Sequence, residues 1–151
     1  MLRILALAIA VLASLPAHAE VRVIDGDTLD VHGTKTRLWG IDAPEGKQSC
    51  QRDAVAWLCG QEAARALRDY VKGKTVACQA KDRDQYGRVV AVCIADDHEV
   101  NAWMAREGWA LDYLQYSKGA YADAEKEARE ANRGLWAGTF IPPWEWRRGK
   151  R

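Results

Sequence analysis

The sequence predicts an α+β fold with more strand than helix: a five-stranded OB-type Greek-key barrel with about three helices. Three short strands joined by tight turns come first, and a helix follows them. Two further apolar strands then flank a polar loop, and the remaining helices come last. In a small chain this order of elements is typical of a Greek-key barrel that carries helices at its ends.

The first 19 residues are predicted to be a signal peptide. Arg3 precedes an apolar run from Ile4 to Leu15, and Ala17-His18-Ala19 has the small-x-small pattern of a cleavage site. We expect a mature chain of residues 20–151 that forms one domain and is exported to the periplasm or beyond the cell. The apolar run is too short for a stable bilayer span, and no later segment is apolar enough. An uncleaved, membrane-tethered form is the alternative.

The charge balance excludes binding of a polyanion through bulk charge. The full chain has 22 Lys and Arg against 21 Asp and Glu, and removal of the leader takes away Arg3. Proteins that bind nucleic acid through their overall charge are strongly basic. Any nucleic-acid contact must therefore come from locally placed arginines or from a bound cation.

The individual elements follow from turn residues and periodicity. The pairs in Asp25-Gly26-Asp27 and His32-Gly33-Thr34 predict turns between strands at 21–24, 28–31 and 36–41. Helical spacing predicts a helix over 61–71 that ends at Gly73. Runs 74–80 and 88–95 predict a second hairpin around the loop 81–87, and helices are expected over 99–107 and 119–132. The tail 135–146, with three tryptophans and two adjacent prolines, is expected to be extended along the domain surface.

Four cysteines in an exported chain predict two disulfides. Cys78 and Cys93 lie in the two strands of the second hairpin, where they would face each other, and Cys50 and Cys59 would close a short local loop. Spacing alone does not fix this connectivity. A zinc site is the rival interpretation, and it is disfavoured because the chain has no C-x-x-C pair.

Four acids, Asp25, Asp27, Asp42 and Glu45, lie at the ends of the first three strands, and we expect them to converge at one edge of the barrel. Two unit charges 4 Å apart repel by about 4 kcal/mol at an effective dielectric constant near 20, so positive charge must lie among them. A hard cation such as calcium or magnesium is one candidate, because oxygen atoms are its preferred ligands.

Arginines are the other source of positive charge. Arg37 lies in the third strand and Arg88 begins the fifth, and each guanidinium can bind a phosphate through paired hydrogen bonds. Phosphodiester hydrolysis can use groups of this kind: a cation, two arginines and a carboxylate that does not bind the metal. Glu45 is the acid best placed to stay spare and to act on water.

Three segments resemble the signature segments of the staphylococcal nuclease (thermonuclease) family, in the same order and with similar gaps. They are VIDGDT at 23–28, RLWGIDAPE at 37–45 and DQYGR at 84–88, with further similarity at 100–101, 106–108 and 134–136. The resemblance implies an OB-fold enzyme that hydrolyses DNA and RNA at the 5'-oxygen side and leaves 3'-phosphates. It implies calcium as the cofactor, and neither a stable protein partner nor an oligomer is expected.

The roles that the resemblance implies are carried over position by position. Asp27 and Asp42 correspond to the side-chain calcium ligands, and the backbone carbonyl of Ala43 is the third ligand. Glu45 corresponds to the general base, and Arg37 and Arg88 to the phosphate-binding arginines. Two further residues complete the predicted site: Asp25 as a support of the ligands, and Tyr86 as a substrate contact.

The sequence departs from the family at Gln85, where the type member has a lysine, and this change predicts weaker nucleotide binding. Tyr113 and Tyr116 both lie near the position of a nucleotide-packing tyrosine, and spacing does not choose between them. In the tail, Trp144, Trp146, Arg147 and Arg148 have two interpretations: contact with nucleic acid, or packed tryptophans with a frayed basic end, which is the one we favour. Two other functions stay open, a noncatalytic binding module of OB fold and a calcium-stabilised structural domain.

Overall fold

The computed structural model describes residues 21–151, so the predicted signal peptide lies outside the described residues. The strands are β1 Arg22–Asp25, β2 Thr28–Val31, β3 Thr34–Leu38, β4 Ile41–Asp42, β5 Cys50–Arg52, β6 Val55–Trp57, β7 Val76–Arg83, β8 Val89–Ala95, β9 His98–Glu99 and β10 Leu111–Asp112. The helices are α1 Cys59–Val71, α2 Val100–Arg106, α3 Leu114–Ser117, α4 Ala122–Glu130 and α5 Pro143–Arg147, with a 3-10 helix at Gly134–Ala137.

The main sheet contains the five predicted strands and one short addition. Its order is β1-β2-β3-β8-β7, and β9 pairs with β8. Neighbouring strands are antiparallel except β3 and β8, which run parallel with Thr36 opposite Val89. The α+β fold class is confirmed. Within residues 21–151 the sheet is an open path rather than a closed barrel, because β1 and β7 do not pair; α1 packs against β1 at that edge.

The first three strands turn where the glycine pairs predicted, but the third strand is interrupted. His32 and Gly33 have φ values of 53° and 85°, as a tight hairpin turn between β2 and β3 requires. The predicted strand 36–41 is instead β3 and β4, separated by a turn at Gly40. Gly40 has a φ of 74°, and a side chain there would come within 2.9 Å of the Tyr121 ring. The positive φ of Gly40 interrupts the strand after Leu38, and the packing of Tyr121 leaves no room for a side chain at this position.

The helices cover the sheet and enclose the core. Helix α1 turns Ala63, Leu67 and Val71 inward, and α2 packs against both β8 and α4. Residues 21–151 contain five α-helices, more than the three predicted, because α3 and α5 are only 4 and 5 residues long and too short to show a helical period. None of the helices in this range is long and apolar enough to cross a membrane.

Both predicted disulfides are present. Cys78 and Cys93 lie directly opposite each other in β7 and β8 and are bonded. Cys50 is bonded to Cys59, the first residue of α1, and the loop that this bond closes holds the unpredicted β5–β6 hairpin. Residues 21–151 contain no free cysteine.

The tail is not extended along its whole length, contrary to the prediction. It forms the 3-10 helix and then α5, which begins at Pro143, a residue whose fixed φ suits the first turn of a helix. Leu135 is buried in a second hydrophobic cluster with Leu111 and both residues of the Cys50–Cys59 disulfide, against which Trp136 and Trp144 pack. The tail is thus folded back over the domain and ends beside the acidic segment 42–45.

Candidate active site

The predicted site residues meet at one pocket of about 560 Å³. It is lined by the β1–β2 turn, by β3, by the segment 41–45 and by the loop 82–88. Seven predicted site residues lie in its wall: Asp25, Asp27, Arg37, Ala43, Glu45, Tyr86 and Arg88. The side chain of Asp42 is fully buried behind this wall. Tyr113 and Tyr116 both line the pocket, so the structure does not choose between them either.

The β1–β2 turn holds Asp27 against the segment that follows β4. One Asp27 carboxylate oxygen accepts a hydrogen bond from the Ala43 N–H at 3.1 Å, and the other accepts one from the Thr28 hydroxyl at 3.1 Å. Gly26 makes this approach possible, because a Cβ atom there would lie 2.8 Å from the Cβ of Ala43. The Asp27 N–H donates to the carboxylate of Asp25 at 3.1 Å, which keeps Asp25 beside its neighbour.

Arg37 joins the two predicted metal carboxylates. Its Nη1 lies 2.8 Å from Asp27 Oδ2, and its Nη2 lies 3.0 Å from Asp42 Oδ1. Pairing of β4 with β10, which sets Leu111 opposite Asp42, fixes the backbone of Asp42. One buried guanidinium therefore lies between two buried carboxylates, and this brings together strands that are separate in sequence.

Burial and the neighbouring negative charges raise the pKa values of two of these carboxyl groups. Burial raises the pKa of Asp42 to about 6, and Asp27 adds to the rise, although Arg147 and Arg37 oppose it. Burial also raises the pKa of Asp25 to about 6, again helped by the charge of Asp27. Burial disfavours the charged form of Arg37, but Asp27 and Asp42 outweigh it and raise the pKa of the guanidinium. The cluster thus retains an excess of negative charge.

Glu45 stands at the rim of the pocket on a firmly held loop. Its side chain is 37% exposed, and its backbone N–H donates to the Gln48 side chain at 3.2 Å. Gln48 is fully buried, and its amide nitrogen donates to the carbonyl of Ile141 in the tail at 2.7 Å. Glu45 is therefore open to water while its backbone is fixed.

Asp84 orients Arg88 on the opposite side of the pocket. The Asp84 carboxylate accepts from the Arg88 Nε at 2.7 Å, and from the backbone N–H groups of Tyr86 and Arg88 at 3.0 Å each. These bonds outweigh the effect of burial and lower the pKa of Asp84. Tyr86 is 76% exposed, with its ring centre 5.7 Å from the Arg88 guanidinium carbon.

Three residues that sequence reasoning did not assign to the site contribute to it: Gln48, Asp84 and Arg147. Asp84 lies inside a recognised motif, so its spacing of four from Arg88 was a usable signal. Gln48 and Arg147 gave no local signal, because their partners lie 93 and 105 residues away. Arg147 had two interpretations, contact with nucleic acid and the favoured one of a frayed basic end, and the structure instead pairs it with Asp42 and Glu45.

The predicted ligand set fits a hard cation in its chemistry. Asp27 and Asp42 provide carboxylates and Ala43 a carbonyl, and oxygen atoms of these kinds bind calcium. No cluster of three or more His, Cys, Asp or Glu side chains able to hold a metal occurs in residues 21–151. A site here therefore needs the Ala43 carbonyl and water in addition to the two carboxylates.

Comparison with known proteins identifies the class and then the family. The family model described as "Staphylococcal nuclease homologue" matches residues 35–138, more than half of the chain. The chain belongs to the staphylococcal nuclease homologue family. This confirms the resemblance found in the three motifs and the prediction of a hydrolytic nuclease. Asp27 precedes the matched range, and Arg147 follows it.

Several relatives align with most of the chain. It is 39% identical over 137 residues to an uncharacterized endonuclease of Escherichia coli, with coverage of 86% of this chain and 84% of that protein. It is 34% identical over 172 residues to the micrococcal nuclease of Shigella flexneri, with coverage of 99% and 94%. The succinoglycan biosynthesis protein ExoI of Rhizobium meliloti (strain 1021) is 37% identical over 127 residues, and the chain covers 66% of its length.

Proposed function

We propose that the chain is a calcium-dependent endonuclease that hydrolyses DNA and RNA at the 5'-oxygen side and leaves 3'-phosphates. The observation that carries this proposal is the bridge of Arg37 between Asp27 and Asp42, in a pocket that also holds Glu45 and Arg88. The names of the Escherichia coli and Shigella flexneri relatives support it. Export is part of the proposal, and the two disulfides support it.

Arg37 and Arg88 are proposed to bind the scissile phosphate. Both line the pocket, and each is held by carboxylates that leave part of the guanidinium free to donate to phosphate oxygens. Negative charge grows on these oxygens as water attacks phosphorus, so fixed donors stabilise the transition state more than the ground state. Asp84 keeps the Arg88 guanidinium in place for this contact.

Glu45 is proposed to accept the proton of the attacking water. The water oxygen forms the new bond to phosphorus, and the bond from phosphorus to the 5'-oxygen breaks. Solvent water supplies the proton that completes the leaving 5'-hydroxyl, and Glu45 then returns its own proton to solvent. Asp27, Asp42 and the carbonyl of Ala43 would hold the calcium ion. The chemistry supplied by a bound calcium ion is positive charge beside the phosphoryl oxygens.

Substitution of Glu45 tests this proposal. Glu45→Gln keeps the size and the hydrogen-bonding oxygen but removes the base, so we expect kcat to fall roughly 10²- to 10⁴-fold. Calcium-dependent binding of a short oligonucleotide should persist. The matched control is Glu130→Gln, because Glu130 is 68% exposed on α4 and away from the pocket. Unchanged turnover in Glu45→Gln would remove the residue from the mechanism.

A further inference from the structure

The C-terminal helix α5 delivers a third arginine to the active site. Arg147 Nη1 donates to Asp42 Oδ1 at 3.0 Å, and its Nη2 donates to Asp42 Oδ2 at 2.8 Å. Nη1 also donates to Glu45 Oε1 at 2.7 Å. One guanidinium thus binds the buried predicted metal ligand through both oxygens, and it holds the predicted base as well.

Hydrogen bonds from two arginines occupy most of the lone pairs of the Asp42 carboxylate. Its Oδ1 accepts from both Arg37 and Arg147, and its Oδ2 accepts from Arg147. A calcium ion requires a carboxylate oxygen with its lone pairs directed at the metal, and it repels a guanidinium in the same position. Only one lone pair of Oδ2 stays outside these bonds, and a calcium ion there would lie against the Arg147 guanidinium, so the two cations compete for the Asp42 carboxylate.

We propose that Arg147 is the internal counter-ion of the metal site: it neutralises Asp42 and Glu45 in the metal-free protein, and calcium binding requires its guanidinium to leave Asp42. The inference rests on the proposed function, in that it assumes calcium at Asp42. Arg147 then sets the calcium affinity of the site, because part of the binding free energy is used to break its two charge-assisted hydrogen bonds to Asp42. It also protects the fold from an uncompensated buried carboxylate when calcium is absent.

The rest of the tail stays anchored while the Arg147 side chain moves. The Ile141 carbonyl is bound by buried Gln48, and Pro143 is buried at the start of α5. The Trp144 ring stacks on Tyr113 with centroids 5.3 Å apart and planes 7° from parallel. The Arg147 side chain, in contrast, is 38% exposed. Its flexible stem allows the guanidinium to swing into the open pocket without unfolding α5.

The test is calorimetric titration of the full chain with calcium, in the absence of nucleic acid. Arg147→Gln should bind calcium roughly tenfold more tightly than the wild type, because a neutral amide competes far less for a carboxylate. Arg147→Lys keeps the charge but cannot bind both Asp42 oxygens in the same way, so its affinity should lie between those of the wild type and Arg147→Gln. The matched control is Arg148→Gln: Arg148 is the next residue, is exposed, and makes no ion pair within residues 21–151. Its affinity should equal that of the wild type.

Thermal melting gives a second readout, because a variant that fails to fold would show no melting transition with either chelator or calcium. With chelator, Arg147→Gln should melt below Arg148→Gln, because Asp42 has lost a counter-ion. With calcium, the two should converge, since the metal then neutralises the carboxylate.

Two outcomes would overturn the proposal in different ways. Calcium binding that is equal or weaker in Arg147→Gln would reject the role of Arg147 and leave the proposed function intact. No calcium binding by any variant would reject the metal site itself, and the counter-ion with it.

Discussion

Asp25 is the residue whose environment most clearly opposes its charge. It accepts a hydrogen bond from the Asp27 N–H, yet it forms no ion pair with a basic side chain of residues 21–151. Burial raises its pKa from 3.8 to about 6, with a further contribution from Asp27. The folded state therefore holds a proton more tightly than the unfolded state. The stabilising effect is present below the unfolded pKa and is lost as pH rises through about 6.

Asp25→Asn should therefore stabilise the metal-free protein at neutral and higher pH. The amide oxygen can still accept from Asp27, while the charge is removed, so we expect a gain on the order of 1–3 kcal/mol at about pH 8. The gain should shrink as pH falls through about 6 and should vanish below the unfolded pKa of 3.8, where the wild-type carboxyl is protonated in both states. The measurement is urea unfolding with chelator at several pH values, with exposed Asp97→Asn as the control. An effect that does not change with pH would contradict this account of Asp25.

At the scale of elements, the loop that carries Glu45 is fixed by the start of α1. A Cβ atom on Gly60 would lie 1.8 Å from the carbonyl oxygen of Glu45. A Cβ atom on Gly46, the residue after Glu45, would have nothing within 4 Å. The two glycines thus provide a pair of substitutions with opposite expected results, both close to the proposed base Glu45.

Gly60→Ala should displace the Glu45 backbone and damage both stability and turnover. Overpacking of this kind costs about 1–3 kcal/mol, and displacement of a catalytic group by about 1 Å can cost roughly a hundredfold in rate. Gly46→Ala should leave both quantities near wild type. Thermal melts and kcat of the two variants are the measurements. A normal rate in Gly60→Ala would show that the position of Glu45 does not depend on α1.

The elements that sequence predicted well are those specified by neighbouring residues. The turns at Gly26 and Gly33, the helix that ends before Gly73 and the hairpin that pairs Cys78 with Cys93 all have local signals, and all are present. Gly40 interrupts the third strand through its positive φ, and the space that a side chain would need there is filled by Tyr121, 81 residues away by the numbering. The hairpin β5–β6 and helix α5 are too short for their periodicity to be read.

The same distinction applies to the candidate site. Asp27, Arg37, Glu45 and Arg88 were predicted from three short motifs, and the fold brings them to one pocket. Arg147 reaches that pocket through tertiary packing of the tail, and buried Gln48 connects the Glu45 backbone to the tail at Ile141. Charge and aromatic content marked the tail as unusual, but only the folded chain shows that Arg147 is directed at Asp42.

At the scale of the whole molecule, the active site is a local concentration of charge on a nearly neutral protein. The full chain has a formal net charge of +1, so long-range attraction to a polyanion is weak. We therefore expect capture of nucleic acid to depend on Arg37 and Arg88 in the pocket, together with the proposed cation. The folded tail adds Arg147 to the wall of that pocket.

The most direct test of this account is hydrolysis of single-stranded DNA by the purified mature protein, with calcium and then with excess chelator, followed by analysis of the product ends. The account predicts cleavage in calcium, loss of cleavage with chelator, and products that carry 3'-phosphates and 5'-hydroxyls. Cleavage that persists with chelator would contradict the role given to Asp27 and Asp42. No cleavage in calcium, by protein shown to be folded and oxidised, would contradict the proposed enzyme and favour a noncatalytic binding module.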